Sequence, residues 1–238
     1  MKSMFAGKIL FSFWAYIAFI VIMIPGCFLV LLAPSLSLRR KINKLLAIIV
    51  LFSIGQKLPI LRKKNLPRNF LFIANHGSFI DAIILAAVLP SSTSFLIKYE
   101  ARKIPIAGLF LTRINSLFVK RDSVKSRAKS LKLIKKLLMG NNSIAIFPEG
   151  TFDKNIGIKR FHRGGFTFVN DLKTSVIPIG IRGAREMMPS GSWLVNYCRL
   201  EIFIDFTFET SNYASPEQLS HAAREKISLL SSEPITDA

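Results

Sequence analysis

The sequence predicts an α/β domain preceded by an apolar helical membrane anchor. Three observations lead there. Residues 9–38 contain no charged side chain. From about residue 58 onward, short apolar runs alternate with helical patterns, the alternation expected of an α/β fold. Half of the 238 residues are hydrophobic, yet the formal net charge is +19, too apolar for an ordinary soluble domain and too charged for a polytopic membrane protein. These features divide the chain into residues 1–57, N-terminal membrane-anchoring helices, and residues 58–238, a globular domain.

Each element follows in order. The run LFSFWAYIAFIVIMIPGCFLVLLA exceeds the roughly 20 residues that a bilayer-crossing helix needs. It also exceeds the apolar core of about 7–15 residues found in signal peptides. Pro25-Gly26 interrupts it, which predicts a kink or a re-entrant turn. After RRKINK (39–44) comes LLAIIVLFSIG, too short to span and suited to an interface. The basic excess on the C-terminal side of the first run places the remainder in the cytoplasm. FLFIAN (70–75) reads as a strand, DAIILAAVL (81–89) as a short helix, and SFLIK (94–98) and SLFVK (116–120) as strands. From Ser123 to Met139 the residues Val124, Ala128, Leu131, Ile134 and Leu138 fall on one helical face. SIAIFP (143–148), SVIPIGI (175–181) and LEIFIDFTF (200–208) read as strands, Ser215–Leu230 as a terminal helix, and SEPITDA as a frayed tail.

The charge narrows the partners. A net +19 requires an anionic class: nucleic acid, anionic lipid or phosphorylated small molecules. The apolar anchor selects the lipid surface, where each basic residue contributes roughly 1 kcal/mol. Nucleic acid is excluded as a partner because no recognition motif is present. Cys27 and Cys198 have neither disulfide nor zinc spacing, so no metal is expected, and the setting is a reducing one.

Four stretches carry chemistry. In Asn75-His76-Gly77-Ser78-Phe79-Ile80-Asp81 a histidine and a carboxylate sit five apart at the C-terminal end of a strand, where α/β sheets place ligands. Folded back, Asp81 fixes the imidazole tautomer and frees the other ring nitrogen to take a proton from a hydroxyl. On these residues alone, Asp81 serves equally well as a helix N-cap. Phe147-Pro148-Glu149-Gly150-Thr151 takes a strand into a turn whose glycine permits close backbone approach. Phe118-Val119-Lys120-Arg121 delivers a basic pair to a strand end, and the fork of Arg121 suits phosphate. Val176-Ile177-Pro178-Ile179 is a strand with an internal proline, the mark of an edge or a bulge.

In this order and at these spacings, the four blocks resemble the glycerolipid acyltransferase superfamily, which includes the lysophosphatidic acid acyltransferases. The resemblance covers roughly residues 58–210. It implies a mixed sheet flanked by helices, and an enzyme that moves a fatty acyl group to the free hydroxyl of a lysolipid, foremost 1-acyl-sn-glycerol-3-phosphate. It implies His76 and Asp81 as the catalytic pair, with Asn75, Arg121, Glu149, Gly150 and Thr151 binding substrate. It implies acyl-coenzyme A or acyl carrier protein as co-substrate, with no further cofactor; with the flanking charges, the expected place is the cytoplasmic side of the inner membrane. One position departs from the pattern: the arginine that usually follows the threonine is Phe152 here. The nearby Lys154, together with Lys159, Arg160 and Arg163 of the basic stretch KRFHRGGF, is the expected compensation, with Arg163 placed among the substrate-binding residues. His162 within it is read as a surface residue. The departure keeps other lysolipids, amino-acid-based ones included, in view as acceptors, as well as a non-catalytic membrane-binding protein of the same fold.

Overall fold

A computed structural model describes residues 2–59, 70–120, 123–140, 142–152, 154–167, 169, 174–206 and 208–236. Helices α1 (Lys2–Leu32) and α2 (Leu36–Ser53) form an antiparallel hairpin whose turn is capped by the Ser35 hydroxyl accepting from the Leu38 N–H. Strand β1 (Phe70–Ala74) is buried along its whole length. It is followed by α3 (Asp81–Val88), β2 (Ser94–Lys98), α4 (Ala107–Arg113), β3 (Leu117–Val119), α5 (Val124–Met139), β4 (Ile144–Ile146), β5 (Ser175–Arg182), α6 (Ala184–Met187), β6 (Glu201–Ile204) and α7 (Pro216–Ser231).

The six strands make one mixed sheet in the order β3-β2-β4-β1-β5-β6, parallel except for antiparallel β6. Alternating side chains build a core on each face. Phe72, Ala74, Ala145 and Ile177 pack with α2 and α3, while Leu71, Ile73, Ile144 and Val176 pack with α5 and α7. Burial on both faces is what a parallel sheet flanked by helices requires.

Pro178 lies in an interior strand, not at an edge. β5 sits between β1 and β6, and the Pro178 carbonyl accepts from the Asp205 N–H just where the β6 ladder ends. A residue's N–H and C=O point to the same side of a strand, so the missing N–H falls beyond that ladder and takes no bond from β1.

The N-terminal segments also differ from expectation. α1 runs unbroken through Pro25-Gly26. Gly26 serves contact instead, because a Cβ there would lie 2.5 Å from the Leu46 side chain of α2. Ala47, Leu51 and Ile54 of the α2 segment belong to the same core cluster as β1 and β5, so packing does not separate residues 1–57 from the domain. Arg40 donates to the Ile114 and Ser92 carbonyls at 3.0 and 2.9 Å. Lys44 donates to the Val88 and Leu89 carbonyls, and burial pushes its ammonium down to about 8. These basic residues therefore cap the C-terminal ends of α3 and α4.

The segment Ala6–Leu32 is long and apolar enough to cross a membrane. Yet α1 is fastened to the domain near both ends. Ser12 accepts from the Val195 N–H at 2.8 Å, Tyr16 donates to the Trp193 carbonyl at 2.7 Å, and Arg113 donates to the Leu31 carbonyl at 2.5 Å. The residues SEPIT, expected to fray, are tied down as well. The Ile158 N–H donates to the Pro234 carbonyl and the Thr236 N–H to the Ile158 carbonyl.

Candidate functional site

β1 and β4 are parallel neighbours, so the turns after them meet at one sheet edge. The turn after β1 carries His76. Its Nδ1 lies 2.9 Å from Oδ2 of Asp81. The same oxygen accepts from the N–H groups of Gly77 and Ser78, each at 2.8 Å. Asp81 is the first residue of α3, and its carboxylate caps the turn before the helix while the helix end itself has no side-chain cap. That settles the choice left open above: Asp81 faces the imidazole and is not an N-cap. Asp81 is 1% exposed and the His76 side chain 17%, so Nδ1 is held from inside and Nε2 is left for a partner from outside.

The turn after β4 braces this pair. Glu149 is buried. Its Oε1 accepts from the His76 N–H at 2.7 Å and its Oε2 from the Lys159 N–H at 2.9 Å. Burial pushes the carboxyl up to about 7, against the pull of those two N–H groups; Glu233 adds to the rise and Arg185 opposes it. Gly150, at φ +81, makes the reversal that turns the block back, with its N–H on the Phe147 carbonyl at 3.1 Å. Thr151 is exposed. Asn75 is buried and clamps β1 to β5: its amide donates to the Ile181 carbonyl at 2.9 Å and accepts from the Ile181 N–H at 2.7 Å. The polar side-chain atoms of Asn75 and Glu149, expected to bind substrate, are engaged by backbone groups and brace the turn that carries His76. Arg121 and the side chain of Arg163 lie outside the described residues. The KRFHRGGF stretch is nevertheless brought to the site, through Lys159 on Glu149 and through the His162 N–H donating to the Pro148 carbonyl at 2.9 Å.

Aromatic rings enclose the histidine. Phe147 stacks on the imidazole with centroids 4.1 Å apart, Phe152 meets it edge-on at 4.5 Å, and Phe79 meets Phe152 at 4.7 Å. The position where an arginine was expected therefore contributes an apolar wall. Sequence reasoning flagged Phe152 as a loss and missed Phe147 as a wall, since ring contacts across two turns leave no spacing signal. Two cavities share Phe147. One, of about 190 Å³, is walled by Met23, Ala47, Ile83, Phe110 and Leu111 on the α2–α3 side. The other, a groove of about 360 Å³, lies on the α5 side beside Lys120, Leu131, Pro148 and His162. Between them β2 pairs with β4 only at Ser94 and Phe95, then turns to β3 alone. The sheet edge is thus parted next to Phe147.

Comparison with known proteins agrees with this arrangement. The acyltransferase family's sequence profile matches residues 59–182. A chloroplastic 1-acyl-sn-glycerol-3-phosphate acyltransferase of Arabidopsis thaliana is 32% identical over 216 residues, covering 87% of this chain and 59% of that protein. A lyso-ornithine lipid O-acyltransferase of Pseudomonas aeruginosa is 34% identical over 119 residues, covering 50% of this chain and 45% of that protein. The chain thus spans about half the length of these relatives. The crystal structure of the 1-acyl-sn-glycerophosphate acyltransferase of Thermotoga maritima shares the fold, with a TM-score of 0.74 at 21% identity over 95% of both chains.

Proposed function

This chain belongs to the acyltransferase family, and from that premise we propose that it transfers a fatty acyl group from a thioester to the free hydroxyl of a lysolipid. The observation that carries the reading is the 2.9 Å contact between His76 Nδ1 and Asp81, which leaves Nε2 as the proton acceptor. Nε2 takes the hydroxyl proton as the oxygen attacks the thioester carbonyl. The tetrahedral oxyanion then collapses, the C–S bond breaks, and the leaving thiolate takes the proton back from the imidazolium. Asp81 stabilises that imidazolium. Among the described residues no group of three or more His, Cys, Asp or Glu is placed to hold a metal ion. The apolar cavity behind Phe147 suits the acyl chain of the donor, which is acyl-coenzyme A or acyl carrier protein.

The acceptor proposed is 1-acyl-sn-glycerol-3-phosphate, giving phosphatidic acid, with Arg121 and Arg163 as the phosphate-binding residues. The second reading, an amino-acid-based lysolipid, is favoured by Phe152: an apolar ring stands where a phosphate-gripping arginine was expected. The chain is proposed to work at the cytoplasmic face of a membrane, with α1 lying along the surface. Ser12 and Leu31 are 19 residues apart, about 28 Å of helix. That is close to the full hydrocarbon thickness of about 30 Å. A spanning α1 would put its two attachments to one folded domain on opposite sides of the bilayer. Leu10, Phe13, Ile17, Ile20, Ile24 and Phe28 form an exposed stripe at helical spacing that lipid covers. The test is a lysolipid panel with radiolabelled acyl-coenzyme A and purified full-length protein. Acylation of lysophosphatidic acid supports the first acceptor, acylation of lyso-ornithine lipid the second, and no transfer to any lysolipid refutes the enzymatic reading.

A further inference from the structure

We propose that Arg185 is a positioning residue of the catalytic turn and that Glu233, near the end of the chain, holds it there. The inference rests on the acyl-transfer reading of His76, but its observations are independent of that reading. Arg185 lies in α6, just after Gly183, whose φ of +82 and 2.2 Å clearance to the Arg199 carbonyl admit only glycine. Its guanidinium is gripped by both oxygens of Glu233, Nε on Oε1 and Nη2 on Oε2, each at 3.0 Å. Nη1 donates to the Asn155 carbonyl at 2.9 Å. The two side chains are only 12% and 14% exposed.

The plane so fixed covers the catalytic turn. A Cβ built on Gly77 would meet Cζ, Nε and Nη2 of Arg185 at 3.2 Å. Gly77 is the residue whose N–H holds Asp81. A larger residue at 77 would displace the guanidinium, and loss of the guanidinium would uncover the turn. Arg185 is also the cation coupled to Asp81 at the start of α3, to Glu149 after β4 and to Glu233. Glu233 grips this guanidinium directly, while Asp81 and Glu149 act on it only through their charge.

The tail completes the clamp. Ser228 donates to the Glu233 carbonyl at 2.6 Å, Ile158 pairs with Pro234 and Thr236, and Arg224 donates to the Ile158 carbonyl at 2.7 Å. Ile158 precedes Lys159, whose N–H holds Glu149. Residues 233–236 therefore connect to the histidine by two routes: through Arg185 to Gly77, and through Ile158 and Lys159 to Glu149. A bidentate arginine–carboxylate pair is the geometry that fixes orientation as well as charge.

The experiment follows ring titration of ¹³C-labelled histidine in the full-length protein in detergent, with His76→Ala assigning the His76 signal among the three histidines. The acidic limb of the kcat/KM profile is recorded beside it. Arg185→Met removes a positive charge that opposes the imidazolium. Both readouts should move to higher pH, because a cation beside the turn disfavours the imidazolium. Glu233→Gln removes the carboxylate that grips the guanidinium and should move both to lower pH. Arg185→Lys should restore the position of the titration. A merely structural brace predicts shifts of the same sign in the Arg185→Met and Glu233→Gln variants or none, with lowered melting temperatures, and either outcome overturns the proposal. If Arg185→Met fails to fold, the isosteric Glu233→Gln decides alone: a downward shift supports the assignment and an unmoved titration refutes it. The ring titration needs no turnover. Absence of acyl transfer in the wild type would therefore sink the enzymatic reading and leave this inference separately judged.

Discussion

Replacing Glu149 by glutamine tests the brace behind the histidine. Burial raises this carboxyl from 4.5 to about 7. At about 1.4 kcal/mol per pH unit, the difference corresponds to about 3 kcal/mol. The sign follows from proton linkage. Between pH 4.5 and 7 the folded chain holds a proton that the unfolded chain has released, so stability falls as pH rises through that window and levels off above it. Glutamine does not titrate and removes this slope. It also sets an NH₂ donor, which has no lone pair to offer, against one of the two N–H groups, of His76 or Lys159, that face the carboxyl oxygens. An unmade buried bond of this kind costs about 1–3 kcal/mol. Glu149→Gln should therefore be less stable than wild type at pH 4.5 by about 1–3 kcal/mol. At pH 8 that deficit should shrink by about 3 kcal/mol, to near zero or to a small gain. The assay is paired urea denaturation in detergent at both pH values, taken as the difference between variant and wild type so that the rest of the protein's titration cancels. An equal difference at pH 4.5 and pH 8 would show that Glu149 is ionised normally and that the burial argument fails.

Other substitutions probe the remaining parts of the site. His76→Ala should lower acyl transfer by roughly 100- to 10,000-fold, the range of general-base catalysis, with an unchanged circular dichroism melt; near-normal turnover would end the mechanism. Asp81→Asn should also lower turnover severely, because a neutral amide no longer stabilises the imidazolium and offers a weaker acceptor to the N–H groups of Gly77 and Ser78. Phe152→Arg should raise use of lysophosphatidic acid relative to lyso-ornithine lipid by about tenfold or more, the worth of one charged hydrogen bond; an unchanged preference in a competition assay would show that this position does not read the headgroup. Paired Phe13→Lys and Ile17→Lys substitutions on the exposed stripe of α1 should weaken binding to lipid vesicles while preserving the fold; unaltered vesicle flotation would place the membrane face elsewhere.

Much of this protein was legible without coordinates. Short apolar runs located β1, α3, β2, β4 and β5, and helical periodicity located α5 and α7, each to within a residue or two. The pairing of His76 with Asp81 was legible too, since a turn between a strand end and a helix start confines both to one small volume. Tertiary structure decided what lies between distant segments. α4 went unread because its seven residues are too few to display a repeat. The alternating run from Leu200 yielded only a four-residue strand, because β6 keeps pairing only until Pro178 offers no N–H. Pro25-Gly26 looked like a break and is a helix contact, which depends on Leu46 arriving from α2. The resemblance implied that Asn75 and Glu149 bind substrate; that the Ile181, His76 and Lys159 backbones engage their polar atoms was decided by the tertiary structure. The tail read as frayed because nothing local orders it. It is ordered by Arg185 and Ile158, 48 and 77 residues upstream of Glu233 and Ile235, through bonds that no local pattern encodes. Local geometry is written in spacing, whereas the partners of buried polar groups are chosen by the folded chain as a whole.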